Sequence, residues 1–390
     1  MGIPKEESTA RIKRTQTLLA EKGLDAALIY YDELNIANGW YLSGWCPQFE
    51  SGAILVPAQG DACILGGPES EPFARESSAI KETRNVQVFM VPEEEYPMAR
   101  VVTFDVVFHE IVGRKVSRLG IVGLNKMPYR VYSHLQADLH GIEFIDITEE
   151  FEEFRVIKSE WEIESIKKSF QIADEGFKVI LENIAPGVPE YYLAGLAEGK
   201  MRTLGANWFG FKTIMGAGER SNGVVPTASD RILEEGDTLL AGVSPRYNGY
   251  SSAAGLSLFV GNKASAEQKR YLADAVEAFS LTREQLVPGR SAVEIDAVPR
   301  NFLKGRGYAP YMLVPYVHTI GLLEAEAPFF GPNSRDVLQP GMTVCIDVSL
   351  FGHPTLYGVR VETGYVITEK GAEPLSPYME DLIMNAPSRL

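Results

Sequence analysis

An internal repeat is the feature that most constrains how this chain can fold. Residues 184–260 resemble residues 286–367 at two anchor points, with nearly equal offsets of 102 and 105 residues. The matching segments are Pro186–Gly187 with Pro288–Gly289, and GDTLLAGVS from Gly236 with GMTVCIDVS from Gly341. Repetition of one supersecondary pattern indicates structural units that pack on each other. We therefore expect two α-then-β halves about a pseudo-twofold axis; the alternative is two unrelated buried strands that each start at a glycine.

The chain length and one helix start predict two domains. At 390 residues the chain exceeds the roughly 250–300 residues at which a single hydrophobic core stops growing. Ser159 and Glu162 form an S-x-x-E capping box, and apolar residues follow it at helical spacing. We place an α/β domain at 1–152 and a second domain of two α/β halves at 153–390. In the first domain the pattern predicts a helix over Thr9–Lys22 and strands over Ala26–Tyr30, Ala53–Val56, Ala62–Leu65, Val86–Val91, Leu119–Val122 and Phe144–Ile147.

Charge and cysteine content restrict the partners and the location of the protein. The formal charge of −15 and the absence of a basic cluster argue against nucleic acid and against an anionic membrane. Cys46, Cys63 and Cys345 are odd in number and widely spaced, which fits a reducing compartment better than a disulfide framework. The segment MGIPKEESTARIKR lacks the apolar run typical of a signal peptide, so we expect none. No stretch reaches 18 apolar residues, and no G-x-G-x-x-G follows the first predicted strand. We expect a cytoplasmic protein whose partner is a small-molecule substrate.

Several segments together resemble the creatinase/aminopeptidase P family over nearly the whole chain. The segments are KGLDAALIYYDELNIANGWYLSGW from Lys22, VIKSEWEIESIKKS from Val156, HTIGLLEAEAP from His318, LQPGMTVCIDV from Leu338 and GVRVETGYVIT from Gly358. The resemblance implies a small N-terminal creatinase-like α/β domain and a C-terminal pita-bread domain of two pseudo-symmetric α/β halves. It also implies a homodimer and hydrolysis of a C–N bond.

The same resemblance locates the residues that would hold two metal ions. The family uses two Asp, one His and two Glu, and the corresponding positions here are Gly242, Ala253, His318, Asp347 and Glu362. Glycine and alanine cannot coordinate, and too few carboxylates remain to offset two close dications. We therefore predict no metal cofactor; a single Mn, Fe or Zn ion on the remaining three side chains is the alternative. The family's two further histidines fall at an alanine (325) and in the loop 222–225.

Three polar residues remain as candidates for catalysis. His318 follows an apolar run, so we expect it at a strand end, where an imidazole can transfer protons near neutral pH. Asp347 and Glu362 each interrupt an apolar strand pattern, and if both face one cavity, one of them should have a raised pKa. The alternative is that Arg360 or Arg246 neutralises the two carboxylates.

Further residues are predicted to bind substrate. Two aromatic residues near position 210 could enclose a flat or methylated cation, and an Asn-Gly pair predicts a hairpin that carries an arginine and a tyrosine. The resemblance adds residues of the segment GAGERSNG and an acidic residue in an N-terminal loop that, in dimeric relatives, reaches the neighbour's active site. The predicted set is Glu326, Arg246, Tyr250, Arg220, Asn222, Trp208, Phe211, Arg360 and Glu50.

These observations favour a metal-independent hydrolase of a C–N bond in a small amidine-like or cationic compound. In this hypothesis the protein resembles creatinase and ectoine hydrolase more than a true Xaa-Pro peptidase. Two alternatives remain open. One is a metal-dependent Xaa-Pro aminopeptidase or dipeptidase, or a mononuclear-metal lyase, of the same fold. The other is a non-catalytic pita-bread module that binds a ligand or a peptide.

Overall fold

The computed structural model describes residues 2–92 and 94–389, which divide into two compact units. The first unit ends at Arg155 and the second begins at Val156. This boundary lies three residues beyond the one placed from the sequence. Within the described ranges, no helix combines the length and hydropathy needed to cross a bilayer.

The N-terminal unit is built on one mixed sheet. Its helices are α1 (Lys5–Lys22), α2 (Ala37–Ser43), α3 (Glu71–Ser77), α4 (Phe104–Val112), α5 (Tyr129–Asp138) and α6 (Thr148–Glu152). Its strands are β1 (Ala26–Tyr31), β2 (Gly52–Pro57), β3 (Cys63–Gly66), β4 (Thr83–Val86), β5 (Val101–Val102), β6 (Arg118–Val122) and β7 (Glu143–Asp146). The strand order is β5-β4-β3-β2-β1-β6-β7.

The local sequence explains how this sheet begins. Helix α1 stops at Gly23, which adopts a left-handed conformation (φ 62°) that glycine reaches without strain. The apolar run that follows becomes β1, which is buried along its whole length between the antiparallel β2 and the parallel β6. The strand predicted over Val86–Val91 is wrong, because β4 ends at Val86 and a 3₁₀ turn, Gln87–Phe89, takes its place.

The C-terminal unit has a larger, antiparallel sheet. Its helices are α7 (Glu160–Asn183), α8 (Glu190–Thr203), α9 (Ala266–Gln285), α10 (Ala292–Gly305) and α11 (Pro377–Arg389). Its strands are β8 (Trp208–Phe209), β9 (Ile214–Ala217), β10 (Thr238–Val243), β11 (Pro245–Tyr247), β12 (Tyr250–Ser251), β13 (Ala254–Phe259), β14 (Val317–Thr319), β15 (Glu326–Phe329), β16 (Thr343–His353), β17 (Tyr357–Thr368) and β18 (Gly371–Pro374). The main sheet runs β15-β14-β16-β17-β13-β10-β9, with β18 beside β17, and a small sheet runs β12-β11-β8.

The two faces of the main sheet have different environments. Because side chains alternate along a strand, every second residue of β10, β13, β16 and β17 packs with helices α7 to α11 in one hydrophobic core. Phe177, Tyr271, Leu256 and Val361 are members of this core. The intervening residues, among them Asp347, point to the opposite face. The polar cluster therefore occupies the face that the helices leave open.

The internal repeat is visible in matching backbone hydrogen bonds. The N–H of Gly187 donates to the carbonyl of Leu233 at 2.9 Å, and the N–H of Gly289 donates to that of Leu338 at 2.8 Å. Both glycines have positive φ, 91° and 85°. In each half, this hydrogen bond joins the loop after a long helix to the segment before a central antiparallel strand pair. The pair is β10 with β13 in one half and β16 with β17 in the other. The two halves thus repeat one α-then-β pattern.

Candidate active site

Strand register brings the candidate residues into one row across the main sheet. Gly242 on β10 lies opposite Gly255 on β13, Gly255 lies opposite Glu362 on β17, and Glu362 lies opposite Asp347 on β16. Strand β14 borders β16 and adds His318 at the same end of the row. Ligand atoms of His318, Asp347 and Glu362 all lie within 4.8 Å of one another, and the three residues are buried. One half of the row therefore carries carboxylates and the other half carries only glycine.

His318 is oriented by its own strand. It is the central residue of the short strand β14 rather than a residue at a strand end, because the run before it is interrupted by a 3₁₀ turn, Ala309–Tyr311, and by Pro315. Its Nδ1 lies 3.1 Å from the carbonyl oxygen of Thr319, and its Nε2 lies 3.6 Å from Oε1 of Glu362. Burial alone would lower the pKa of His318, but the nearby carboxylate of Glu362 outweighs burial and raises the pKa to about 9.

Arg360 contacts both carboxylates of the cluster. Its Nε lies 3.2 Å from Oδ1 of Asp347, 3.0 Å from Oγ of Ser349 and 3.8 Å from Oε2 of Glu362. The hydroxyl of Ser349 also donates to Oδ1 of Asp347. Burial and the neighbouring charge of Asp347 raise the pKa of the Glu362 carboxyl, although His318 and Arg360 oppose this. Of the two arginines that could neutralise the carboxylates, it is Arg360 that reaches them.

The other end of the row is closed by apolar side chains. A Cβ added to Gly242 would lie 3.3 Å from Cβ and 3.4 Å from Cδ1 of Ile214. Ile214 is buried with Leu240 and Phe351 in a separate apolar cluster, against which Phe211 packs. Ala253 is completely buried and offers no donor. The donors present therefore fit one metal ion on His318, Asp347 and Glu362 and do not fit two.

A cavity of about 190 Å³ opens beside the cluster. Its polar lining residues are His318, Asp347, Arg360, Glu362 and Glu324. The remainder of its lining is apolar and comprises Phe211, Ile214, Val224, Val225, Val314, Pro315, Ala325 and Phe329. The two valines and the alanine occupy the places where the resemblance would put the family's further histidines. The cavity therefore has a polar floor and apolar walls.

The sequence reasoning missed Glu324 and selected Glu326 instead. Glu324 lies in the loop between β14 and β15, where burial raises the pKa of its carboxyl group. Glu326 is 5% exposed and its Oε1 accepts a hydrogen bond from the N–H of Leu323 at 2.9 Å, so its carboxylate supports the loop and does not line the cavity. No sequence signal separates the two glutamates, because the loop conformation alone decides which one faces the cavity.

Two predicted residues of the segment GAGERSNG hold the cavity wall without lining it. The Nε of Arg220 lies 3.1 Å from Oε2 of the fully buried Glu190. Oδ1 of Asn222 accepts a hydrogen bond from the N–H of Gly352 at 2.7 Å. These contacts fix the segment that immediately precedes Val224 in the chain. Arg220 and Asn222 are thus placed to position the wall.

The remaining predicted binding residues lie outside the cavity. Nε of Arg246 donates to Oγ of Ser251 at 3.1 Å, and the Tyr250 hydroxyl donates to Oε1 of Glu162 at 2.7 Å. Both lie in the hairpin that Asn248–Gly249 predicts, and both are buried. Trp208 is 46% exposed, and the guanidinium of Arg202 lies over its ring. In the N-terminal unit, Glu50 is 3% exposed, and its carboxylate accepts a hydrogen bond from the N–H of Ser70 at 2.9 Å.

Comparison with known families identifies both parts of the chain. Residues 164–369 match the profile of metallopeptidase family M24, and residues 11–157 match the creatinase/prolidase N-terminal domain. The Xaa-Pro dipeptidase of Pyrococcus furiosus is 29% identical over 374 residues, which cover 96% of this chain and 99% of that protein. An uncharacterized peptidase of Bacillus subtilis, YqhT, is 31% identical over 269 residues, or 69% of this chain and 75% of that protein.

A solved structure agrees with these matches. The prolidase from Pyrococcus horikoshii OT3 superposes with a TM-score of 0.81 and 27% identity, covering 94% of this chain and 97% of that one. The predicted fold, a creatinase-like α/β domain followed by a pita-bread domain, is confirmed. The prediction that the chain resembles creatinase and ectoine hydrolase more than an Xaa-Pro peptidase is not supported, because these relatives include Xaa-Pro dipeptidases.

Proposed function

Because this chain belongs to metallopeptidase family M24, we propose that it hydrolyses the amide bond of Xaa-Pro dipeptides with one divalent metal ion. His318, Asp347 and Glu362 would hold this ion. The observation that carries the proposal is the buried cluster of one imidazole and two carboxylates whose ligand atoms lie within 4.8 Å of one another. One histidine and two carboxylates make an open site for Zn, Fe or Mn. Such an ion acts as a Lewis acid toward the carbonyl of the scissile bond.

Contacts with surrounding residues orient the three side chains that would bind the ion. The hydrogen bond from Nδ1 of His318 to the carbonyl of Thr319 leaves Nε2 directed at the cluster. Arg360 and Ser349 both bind Oδ1 of Asp347, and within the described residues Oδ2 accepts no hydrogen bond. The two oxygens of Glu362 lie 3.6 Å and 3.8 Å from their cationic neighbours, beyond hydrogen-bonding distance. One ligand atom of each residue is therefore available.

A single ion distinguishes this proposal from the two-ion plan of the family. Ile214 packs close to Gly242, so a side chain at position 242 would be crowded where a further carboxylate would stand. We expect a stoichiometry of one ion per chain.

A second candidate is C–N hydrolysis without metal, and one observation favours it. Arg360 already contacts Asp347 and Glu362, and a pKa of about 9 keeps His318 protonated at neutral pH. In this candidate water attacks the carbon, the C–N bond breaks, and the imidazolium of His318 donates a proton to the leaving nitrogen.

The test measures Xaa-Pro hydrolysis and bound metal in the same samples. Wild type, His318→Ala and His134→Ala are purified without chelator, and proline release from Ala-Pro is followed before and after dialysis against EDTA and after addition of Mn²⁺. His134 is an exposed residue of the N-terminal unit, so its replacement controls for loss of an imidazole. We expect about one ion per chain, loss of activity with EDTA and recovery with Mn²⁺, with His318→Ala inactive and unable to retain the ion.

Other outcomes separate the candidates. EDTA-insensitive hydrolysis that still requires His318 supports the metal-free candidate. Two ions per chain would contradict the argument from Ile214. The absence of any Xaa-Pro hydrolysis, with or without Mn²⁺, would refute the proposed substrate.

A further inference from the structure

The carboxylate of Glu324 differs from the other polar groups that line the cavity. His318, Asp347, Arg360 and Glu362 each have a hydrogen-bonding or ion-pairing partner in the protein. Among the residues that the structure describes, Glu324 makes neither a hydrogen bond nor an ion pair, although it interacts electrostatically with the cluster. A carboxylate that leaves water without a partner costs free energy. Its place in the cavity therefore calls for a partner that arrives from outside.

Gly210 packs closely against Glu324. A Cβ added to Gly210 would lie 3.0 Å from Cβ of Glu324 and 2.2 Å from Oγ of Ser244. The N–H of Gly210 donates to the carbonyl of Ser244 at 2.7 Å, so the backbone at this point is held in place. A larger residue at position 210 would therefore crowd Ser244 and Glu324 together and require small shifts of both side chains. The chain thus keeps room for this carboxylate at the cavity edge.

The chemistry of the walls indicates what the carboxylate binds. Phe211 and Phe329 contribute aromatic surface, and Val224 and Val225 contribute aliphatic surface. An anionic oxygen among aromatic and aliphatic groups attracts an ammonium ion that carries apolar substituents. The volume of about 190 Å³ is smaller than the roughly 300–1,000 Å³ of pockets for drug-sized ligands. A small cationic molecule therefore fits both the charge and the size of the cavity.

We propose that Glu324 is a specificity-determining residue that binds the ammonium group of a small cationic substrate. The inference rests on the proposed function, in which this group is the free α-amino group of the dipeptide. The scissile amide then lies between Glu324 and the cluster of His318, Asp347 and Glu362. Substrates whose amino group is acylated lose this ion pair and leave the partly buried carboxylate of Glu324 without a partner.

The competing role for Glu324 is to balance the charge of the metal ion. With a dication and Arg360 present, the carboxylates of Asp347, Glu362 and Glu324 would bring the formal charge of the site to zero. This role requires the affinity for the ion, and not the choice of substrate, to depend on Glu324. The two roles therefore predict different measurements.

The test compares binding of Ala-Pro and N-acetyl-Ala-Pro by calorimetry on EDTA-treated protein. The variants are Glu324→Gln, which keeps the shape of the side chain, and Glu373→Gln, an exposed glutamate of β18 that serves as the matched control. Gly210→Ala is a second probe, because it keeps the carboxylate but displaces it. A hydrogen bond to a charged group contributes about 1.5–3 kcal/mol, and each 1.4 kcal/mol is a factor of ten in affinity.

We expect wild type and Glu373→Gln to prefer Ala-Pro, and Glu324→Gln to bind it about 10- to 100-fold more weakly. Binding of N-acetyl-Ala-Pro stays the same or improves in Glu324→Gln, and Gly210→Ala loses part of the preference. On the Mn²⁺-loaded enzyme, Glu324→Gln raises KM more than it lowers kcat. Selective binding without hydrolysis would refute the proposed function and leave this inference standing.

Three results would overturn the inference. The first is a wild type that does not distinguish the two ligands or binds neither of them. The second is an unchanged preference in Glu324→Gln. The third is a weaker affinity of Glu324→Gln for Mn²⁺ with the preference intact, which would assign the carboxylate to the ion.

Discussion

Replacement of Gly242 by aspartate tests whether the cavity is closed to a second metal ion. The change restores the residue type that the family resemblance expects at this position. In the structure, however, the new Cβ would meet Cβ of Ile214 at 3.3 Å and Cδ1 at 3.4 Å. The new carboxylate would then lie among buried apolar groups, with Leu240 and Phe351 in the same cluster. Gly242→Ala introduces the Cβ alone and is the matched control.

The expected loss of stability can be worked out in two steps. Gly242→Ala gains about 0.4–1 kcal/mol because the unfolded chain becomes less flexible, and loses about 1–3 kcal/mol through crowding against Ile214. The net change is a destabilisation of roughly 0–2.6 kcal/mol. Gly242→Asp adds an unpaired buried charge, for which losses of about 3–5 kcal/mol are typical. We therefore expect Gly242→Asp to be about 3 kcal/mol less stable than Gly242→Ala at pH 7.

Urea unfolding of both variants at pH 7 and pH 4, together with Mn²⁺ stoichiometry, measures these effects. Burial raises the pKa of a carboxyl group in the folded protein above its value in the unfolded chain. The additional loss of stability in Gly242→Asp is therefore present at pH 7 and disappears below about pH 3.9, the pKa of aspartate in the unfolded chain. The two variants should thus approach each other in stability as the pH falls toward 4. Equal stability of the two variants at pH 7, or a second bound ion in Gly242→Asp, would show that Ile214 does not close this side of the cavity to a second metal ion.

Two further predictions concern buried carboxylates away from the cavity. Burial, partly offset by a 2.6 Å hydrogen bond from Ser376, raises the pKa of Asp174 to about 6, against about 3.9 for an ordinary aspartate. Ionisation of Asp174 therefore costs stability that accumulates between about pH 4 and pH 6 and is complete above pH 6. Asp174→Asn should be more stable than wild type by up to about 3 kcal/mol in urea unfolding at pH 8, with little gain at pH 4. A gain that is independent of pH would contradict this origin. Glu190 accepts hydrogen bonds from the N–H groups of Ala217 and Ser229 and pairs with Arg220. Glu190→Gln removes the charge and turns an amide donor toward these N–H groups. We therefore expect this variant to lose about 2–4 kcal/mol of stability. Unchanged urea unfolding of Glu190→Gln would show that these contacts contribute little.

Local sequence patterns predicted the architecture well. The capping box at Ser159 and Glu162 is present at the start of α7, and the glycine-led repeats near Gly236 and Gly341 lead into equivalent strands of the two halves. Such signals depend on residues within a few positions of each other, so the sequence contains them directly. The strand predicted to begin at Val86 failed because a buried apolar run is compatible with either an extended strand or a 3₁₀ turn.

The candidate site was predictable only as a set of residue types. The resemblance of motifs located His318, Asp347 and Glu362, and the alternation along β17 already placed Arg360 on the same face as Glu362. The sequence could not show that Arg360 contacts both carboxylates, because those contacts depend on the register between β16 and β17.

The sequence alone therefore determined the two-domain α/β fold and its internal repeat, and by resemblance it pointed to Gly242 and Ala253 as positions without a metal-binding carboxylate. Only the tertiary structure decided that Ile214 fills the space beside Gly242 and that Glu324, rather than Glu326, faces the cavity. The physical reason is the range of the interactions. Helix caps and strand alternation arise between neighbours in the chain, whereas the contents of the cavity are set by packing between loops and strands that lie up to about 150 residues apart.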